Sequence, residues 1–233
     1  MRPMVDLVGQ TAVMLPGTAS DEVFVRNVFD DPLTQVGLRL TAPATTTVDE
    51  HLAALDAAWT GTPIVVGGIS LGAHVAAAWA VRHPERCAAL LVALPAWHGP
   101  AGDAPAALAA RASATVVERD GVDAALVGVH GWLGAELSRA WRRHGPRLAK
   151  TLRAAAESTA PTAEELAGLR VPTGVAACTD DPVHPLEVAR SWTSALPQAA
   201  LQTTTLTAFG TDRTTIGRAT VLALLHALTR RRH

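Results

Sequence analysis

Residues 67–74 read GGISLGAH, with Ser70 flanked by Gly68 and Gly72. Ahead of it, Pro63–Val66 is an unbroken apolar run suited to a buried strand. Behind it, Leu71–His83 follows a helical pattern that stops before Pro84. Ser70 is therefore expected at a strand-to-helix turn, where glycines at 68 and 72 let strand, turn and helix pack closely. A serine hydroxyl alone is a poor nucleophile near neutral pH and needs a base within hydrogen-bond reach. The competing reading of Ser70 is a plain helix N-cap, worth about 1 kcal/mol.

Outward from that turn, short apolar runs alternate with longer amphipathic ones, the pattern of a parallel sheet with helical crossovers. Strands are expected at Thr11–Leu15, Val36–Leu40, Pro63–Val66, Cys87–Leu94, Val171–Cys178 and Ala200–Leu206. Helices are expected at Thr47–Trp59, Leu71–His83, Pro185–Leu196 and Thr214–Arg230. Within the first of these, Val48, Leu52, Leu55 and Trp59 share one face. The alternation fails between Pro95 and Gly168, which reads as several helices without a strand. The expected organisation is one α/β domain, a doubly wound, mostly parallel sheet built from residues 1–94 and 169–233. Residues 95–168 form a helical insertion at the carboxyl edge of the sheet, where ligands of open parallel sheets bind.

At 233 residues the chain suits one such domain with a substantial core. A formal net charge of −1 gives no reason to expect nucleic acid or an anionic membrane surface as partner. Arginines outnumber the single lysine, Lys150, but are scattered among acids, and Arg230-Arg231-Arg232 reads as a frayed, solvated helix end. The two cysteines, Cys87 and Cys178, lie at or near apolar runs and are expected as buried free thiols. With no signal-peptide pattern and no apolar stretch near 20 residues, a soluble, cytoplasmic protein is expected.

Four features together resemble the α/β-hydrolase superfamily over essentially the whole chain. They are Leu15-Pro16-Gly17-Thr18 after an early strand, Gly68-Ile69-Ser70-Leu71-Gly72 between strand and helix, the helical insertion in a cap's usual place, and Asp180-Asp181-Pro182-Val183-His184-Pro185 after a late strand. The resemblance implies Ser70 as nucleophile, with the backbone N–H groups of Leu71 and Thr18 facing the oxyanion. It implies Asp181 as the acid, four residues before the proline that opens the next helix. Asp180 is the adjacent alternative, and both could instead cap that helix.

The family's histidine belongs between the last strand and last helix, where this chain reads Thr207-Ala208-Phe209-Gly210-Thr211-Asp212-Arg213. No imidazole is there. His98, after the strand Cys87–Leu94, is the first candidate for a replacement base, with a hinge residue bonded to backbone as its bland reading. His184 is the second candidate, or an orienter of the acid loop. His74 reads as a packing residue; His130 and His144 could approach only by folding of the cap. His226 is expected in core or surface, and His51, His83 and His233 facing solvent. Asp212 and Arg213 could pair to fill the vacated loop.

Asp180, Asp181 and His184 could in principle ligate a metal, but no HxH or HExxH pattern accompanies them, and no metal is expected. No Gly-rich phosphate motif appears, so no cofactor is expected. Trp97, Trp132 and Trp141 either line an apolar pocket or bind the cap to the sheet domain. Two functions stand open: a serine hydrolase acting on an ester or related acyl bond of a small, apolar substrate, or a catalytically impaired member that binds a small ligand or partner protein. Oligomeric state stays open.

Overall fold

The computed structural model describes residues 7–230; the expectations for Arg231, Arg232 and His233 fall outside them. Six strands pair in parallel, in the order β2-β1-β3-β4-β5-β6. They are β1 (Thr11–Leu15), β2 (Arg39–Thr41), β3 (Ile64–Ile69), β4 (Cys87–Ala93), β5 (Thr173–Cys178) and β6 (Ala199–Thr204). Helices α1 (Glu22–Gln35), α2 (Val48–Ala58) and α3 (Leu71–Arg82) connect the first four strands. Between β4 and β5 lie α4 (Pro105–Asp120), α5 (Val122–Ala125), α6 (Gly131–His144), α7 (Leu148–Ala156) and α8 (Ala163–Gly168). Helix α9 (Leu186–Ala195) joins β5 to β6, and α10 (Leu206–Thr211) and α11 (Thr214–Arg230) follow β6.

The central strands are buried on both faces, which is why they read as continuous apolar runs. Val13, Leu15, Val66, Leu90 and Val92 face one core layer with α3 and α9; Ala12, Met14, Val65 and Leu91 face the other with α1 and α11. Helix α2 opens with a capping box, in which Thr47 Oγ1 accepts from Glu50 N–H and the Glu50 carboxylate accepts from Thr47 N–H. Thr162 and Glu165 repeat that device at α8.

Strand β3 runs on to Ile69, three residues past the expected end at Val66, and three further elements differ from the expectation. The second strand is only Arg39–Thr41, because the chain turns at Gly37 (φ +76°) to leave α1. The second difference is helix α1, which is absent from the expected elements. Asp21 caps it, and Phe24, Val25, Val28, Phe29 and Leu33 are buried. Pro32 sits inside α1 and leaves the Val28 carbonyl without its helical donor. That carbonyl faces Gly217 of α11, where a Cβ would collide with it. The third difference is α10, which occupies the stretch expected as a loop.

The two ends of the helical segment are fastened together: Gly99 N–H donates to Pro161 O (3.2 Å) and Ala160 N–H to Gly99 O (2.8 Å). Ala114, Ala140, Trp141, Leu148, Ala149 and Leu152 form a separate core there, which Ala19 from the segment before α1 joins. Among the described residues, no helix is long and apolar enough to cross a membrane.

Candidate active site

Ser70 stands between β3 and α3 at φ +51°, ψ −114°. A non-glycine residue there costs on the order of 1–3 kcal/mol and persists only where surroundings impose it. The imposing contacts are backbone: a Cβ at Gly68 would fall 2.6 Å from both Gly72 C and Leu15 O, and one at Gly72 would fall 2.5 Å from Pro16 O. Ser70 N–H is held by Ala93 O at 2.9 Å. The hydroxyl makes no capping bond to α3, so a plain N-cap does not describe it. Instead it meets an imidazole: Ser70 Oγ lies 3.0 Å from His184 Nε2.

That imidazole comes from the loop after β5. Asp181 Oδ1 accepts from Val183 N–H (2.8 Å) and His184 N–H (3.0 Å), which folds residues 181–184 into a tight turn. The turn brings His184 Nδ1 to 2.9 Å from Asp181 Oδ2. An ionised carboxylate only accepts, so Nδ1 carries the proton, and in the neutral ring Nε2 presents its lone pair to the Ser70 O–H. Burial pushes the Asp181 carboxyl upward. The His184 ring and the two backbone N–H bonds outweigh that and hold it below its ordinary value. Its side chain is 6% exposed and that of His184 17%. Asp180 points away and accepts from Leu206 N–H at 2.7 Å, capping α10.

The first-ranked candidate base, His98, is placed elsewhere. Its Nε2 lies 3.1 Å from Ser191 Oγ on α9, and its ring stacks on Trp192. The imidazole at Ser70 is that of His184, ranked second. The signal available in the sequence was the three-residue spacing of Asp181 and His184, which one turn can close. His74 is a buried packing residue whose Nε2 accepts from Ala96 N–H (2.9 Å), its ring between Trp97 and Trp192. Burial, and then the nearby His184 and His98 rings, push its pKa down to about 3, so it stays neutral. His51, expected in solvent, is 1% exposed; burial lowers its pKa to about 4, and Nδ1 meets Thr45 Oγ1 at 2.6 Å. His83 is half-buried, His130 and His226 are exposed and His144 is buried.

The segment that lacks the family's histidine is closed. Thr211 ends α10, and its Oγ1 donates to Thr207 O at 3.0 Å. Asp212 does not pair with Arg213; it caps α11 through Thr214 N–H (2.8 Å) and pairs with Arg218 (2.5 Å). Arg213 lies over the Trp132 ring, 4.3 Å from its centroid, and Trp132 packs on Phe209. Trp97 is buried against His74, and Trp141 sits in the core of the helical segment. These three tryptophans join elements to one another.

The loop from β1 approaches the serine closely, since a Cβ at Gly17 would lie 3.6 Å from Ser70 Cβ. Neither the Thr18 nor the Leu71 N–H has a backbone acceptor among the described residues. Beside α3, a cavity of about 660 Å³ is lined by Val48, Leu52, Leu71, Val75 and Ala155, with Lys150 among its polar residues. A larger one of about 1020 Å³ opens among Thr11, Arg39, Ile64 and Cys87, at the amino ends of the strands and so away from Ser70. Cys87 and Cys178 are free and buried, and burial raises both thiols to about 12. Among the described residues no cluster of three or more His, Cys, Asp or Glu could hold a metal ion.

A family model described as "Serine aminopeptidase, S33" matches residues 42–209. A comparison with curated proteins gives no match. Among solved structures, BpoC from Mycobacterium tuberculosis H37Rv is similar at 16% identity and a TM-score of 0.71, covering 94% of this chain and 93% of that one. MenH from S. aureus is similar at 16% identity and a TM-score of 0.67, with 97% and 96% covered. An esterase from Thermogutta terrifontis is similar at 17% identity and a TM-score of 0.64, with 85% and 82% covered. At these identities the likeness is one of fold.

Proposed function

The chain belongs to the serine aminopeptidase S33 family of α/β-hydrolases, and from that premise we propose that it is a serine hydrolase cleaving an ester or related acyl bond of a small, apolar substrate. Ser70 is the nucleophile, His184 the general base and Asp181 the acid that orients it. The observation that carries this reading is the contact of 3.0 Å between Ser70 Oγ and His184 Nε2. A catalytically silent ligand binder would need no imidazole there.

Each step follows from the atoms present. Ser70 Oγ attacks the acyl carbon as its proton passes to His184 Nε2. The imidazolium is stabilised by the Asp181 carboxylate, 2.9 Å from Nδ1. The tetrahedral oxyanion is met by the N–H groups of Leu71, at the start of α3, and Thr18. His184 then protonates the leaving group, and water, activated by the same ring, releases the acid. An apolar acyl group suits the cavity beside α3, whose lining includes Leu71 next to the nucleophile.

The test is a fluorophosphonate label mapped by mass spectrometry, with turnover of p-nitrophenyl acetate, p-nitrophenyl butyrate and an aminoacyl p-nitroanilide. The expected result is one label per chain, on Ser70, and turnover that falls at least about a thousandfold in Ser70→Ala. Labelling no faster than that of a free serine would overturn the reading.

A further inference from the structure

Thr18 belongs to a short loop between β1 and α1, and that loop is gripped from both sides. At its start, Gly17 lies against Ser70. Ser20 N–H donates to Gly17 O at 3.1 Å, closing a turn with Thr18 and Ala19 at its centre. Ala19 sits at φ +54°, a conformation an alanine keeps only under constraint.

The constraint comes from the helical segment. Ala19 is 2% exposed and packs in the same cluster as Ala140, Trp141 and Leu148. The next carbonyl, Ser20 O, accepts from His144 Nε2 at 3.2 Å. The residue after that, Asp21, is 5% exposed and accepts both terminal nitrogens of Arg139, at 2.6 and 2.7 Å. Arg143 reaches the same carboxylate at 3.3 Å and Glu22 at 2.7 Å. Asp21 Oδ1 also caps α1, accepting from Val23 and Phe24 N–H at 3.1 Å each. Burial pushes the Asp21 carboxyl upward, and the bonds from Arg139 and Phe24 outweigh it. Three consecutive residues after Thr18 are thus each held by α6 or α7, through packing, a carbonyl bond and a bidentate ion pair.

We propose that the last two turns of α6 clamp the oxyanion loop, with Arg139 acting through Asp21 as a positioning residue for the Thr18 N–H. The proposal rests on the reading of Thr18 as an oxyanion donor. A bidentate guanidinium–carboxylate pair whose carboxylate is buried fixes direction as well as distance. Breaking it frees a strained turn to relax away from Ser70, and a displacement of about 1 Å at such a donor costs on the order of a hundredfold in rate. It follows that the helical segment cannot swing as a lid without carrying the oxyanion donor with it.

The experiment measures kcat and KM for p-nitrophenyl butyrate in the full chain, with the fluorophosphonate labelling rate beside them. The variants are Arg139→Gln, Arg139→Lys and Asp21→Asn, the last of which keeps an oxygen to cap α1. Arg139→Gln and Asp21→Asn should each lower kcat about ten- to a hundredfold with KM within about threefold. The labelling rate should fall in parallel, and Arg139→Lys should recover part of the loss. A purely structural role would lower the melting temperature without this kcat-against-KM split or the lysine rescue. Values of kcat within about twofold of wild type in both Arg139→Gln and Asp21→Asn, with wild type active, would overturn the clamp alone. A wild type that neither labels at Ser70 nor turns over ester would overturn the site assignment, and the clamp with it.

Discussion

Two neighbouring segments leave the carboxyl edge of the sheet side by side, since β5 and β6 are paired. The one after β5 spends two side chains on the serine: Asp181 makes the turn and His184 crosses 3.0 Å to Ser70. The one after β6, where related hydrolases keep their histidine, spends none. It folds into α10, with Thr211 bonded to its own helix and Trp132 packed on Phe209. Asp180 joins the two, because it caps α10 at Leu206 while its neighbour Asp181 holds the imidazole. The lesson is that proton transfer constrains where an imidazole nitrogen sits and leaves open which loop supplies it. In the proposed mechanism a four-residue turn carries both acid and base and meets the constraint, which leaves the neighbouring segment free to become helix.

The largest effect that sharpens this contrast is expected at the adjacent aspartates. Asp181→Asn should lower kcat by about 10²- to 10⁴-fold, because an amide in that position no longer fixes the Nδ1–H tautomer or stabilises the imidazolium. Asp180→Asn should stay within about threefold of wild type, since an amide oxygen still caps α10. Steady-state kinetics on one ester decides it, and equal losses in both would show that the two acids share one role. The smallest effect is expected at the closed segment. Thr211→His placed in a His184→Ala background should leave turnover within about twofold of His184→Ala alone, because position 211 is an exposed helix end. Restored turnover there would break the contrast by showing that the β6 segment still reaches the serine.

The sheet was legible because its central strands are buried on both faces and read as bare apolar runs, as at Ile64–Ile69 and Cys87–Ala93. Short β2 starts three residues later than its apolar signal, since the signal at Val36 belongs to the end of α1 and its turn. Helix α1 is not legible in the sequence because Pro32 and two adjacent aspartates interrupt a pattern that packing against α11 overrides. At the site, Ser70, Asp181 and the loop of Thr18 came from the resemblance to α/β-hydrolases that their motifs carry. His184 was legible as a candidate but ranked below His98, because a histidine close in sequence to the acid reads as a loop residue until the turn is seen. The clamp on Asp21 was not legible: Arg139 lies 118 residues away, and only the packing of α6 brings it back.

The central claim is that His184 activates Ser70, and one measurement bears on it most directly: the second-order rate of fluorophosphonate labelling at Ser70 in His184→Ala and His98→Ala. With His184 as base, its removal should slow labelling at least about a hundredfold, while His98→Ala, whose ring faces Ser191, should stay within about threefold of wild type. A rate lost in His98→Ala and kept in His184→Ala would contradict the assignment and return the base to the loop after β4.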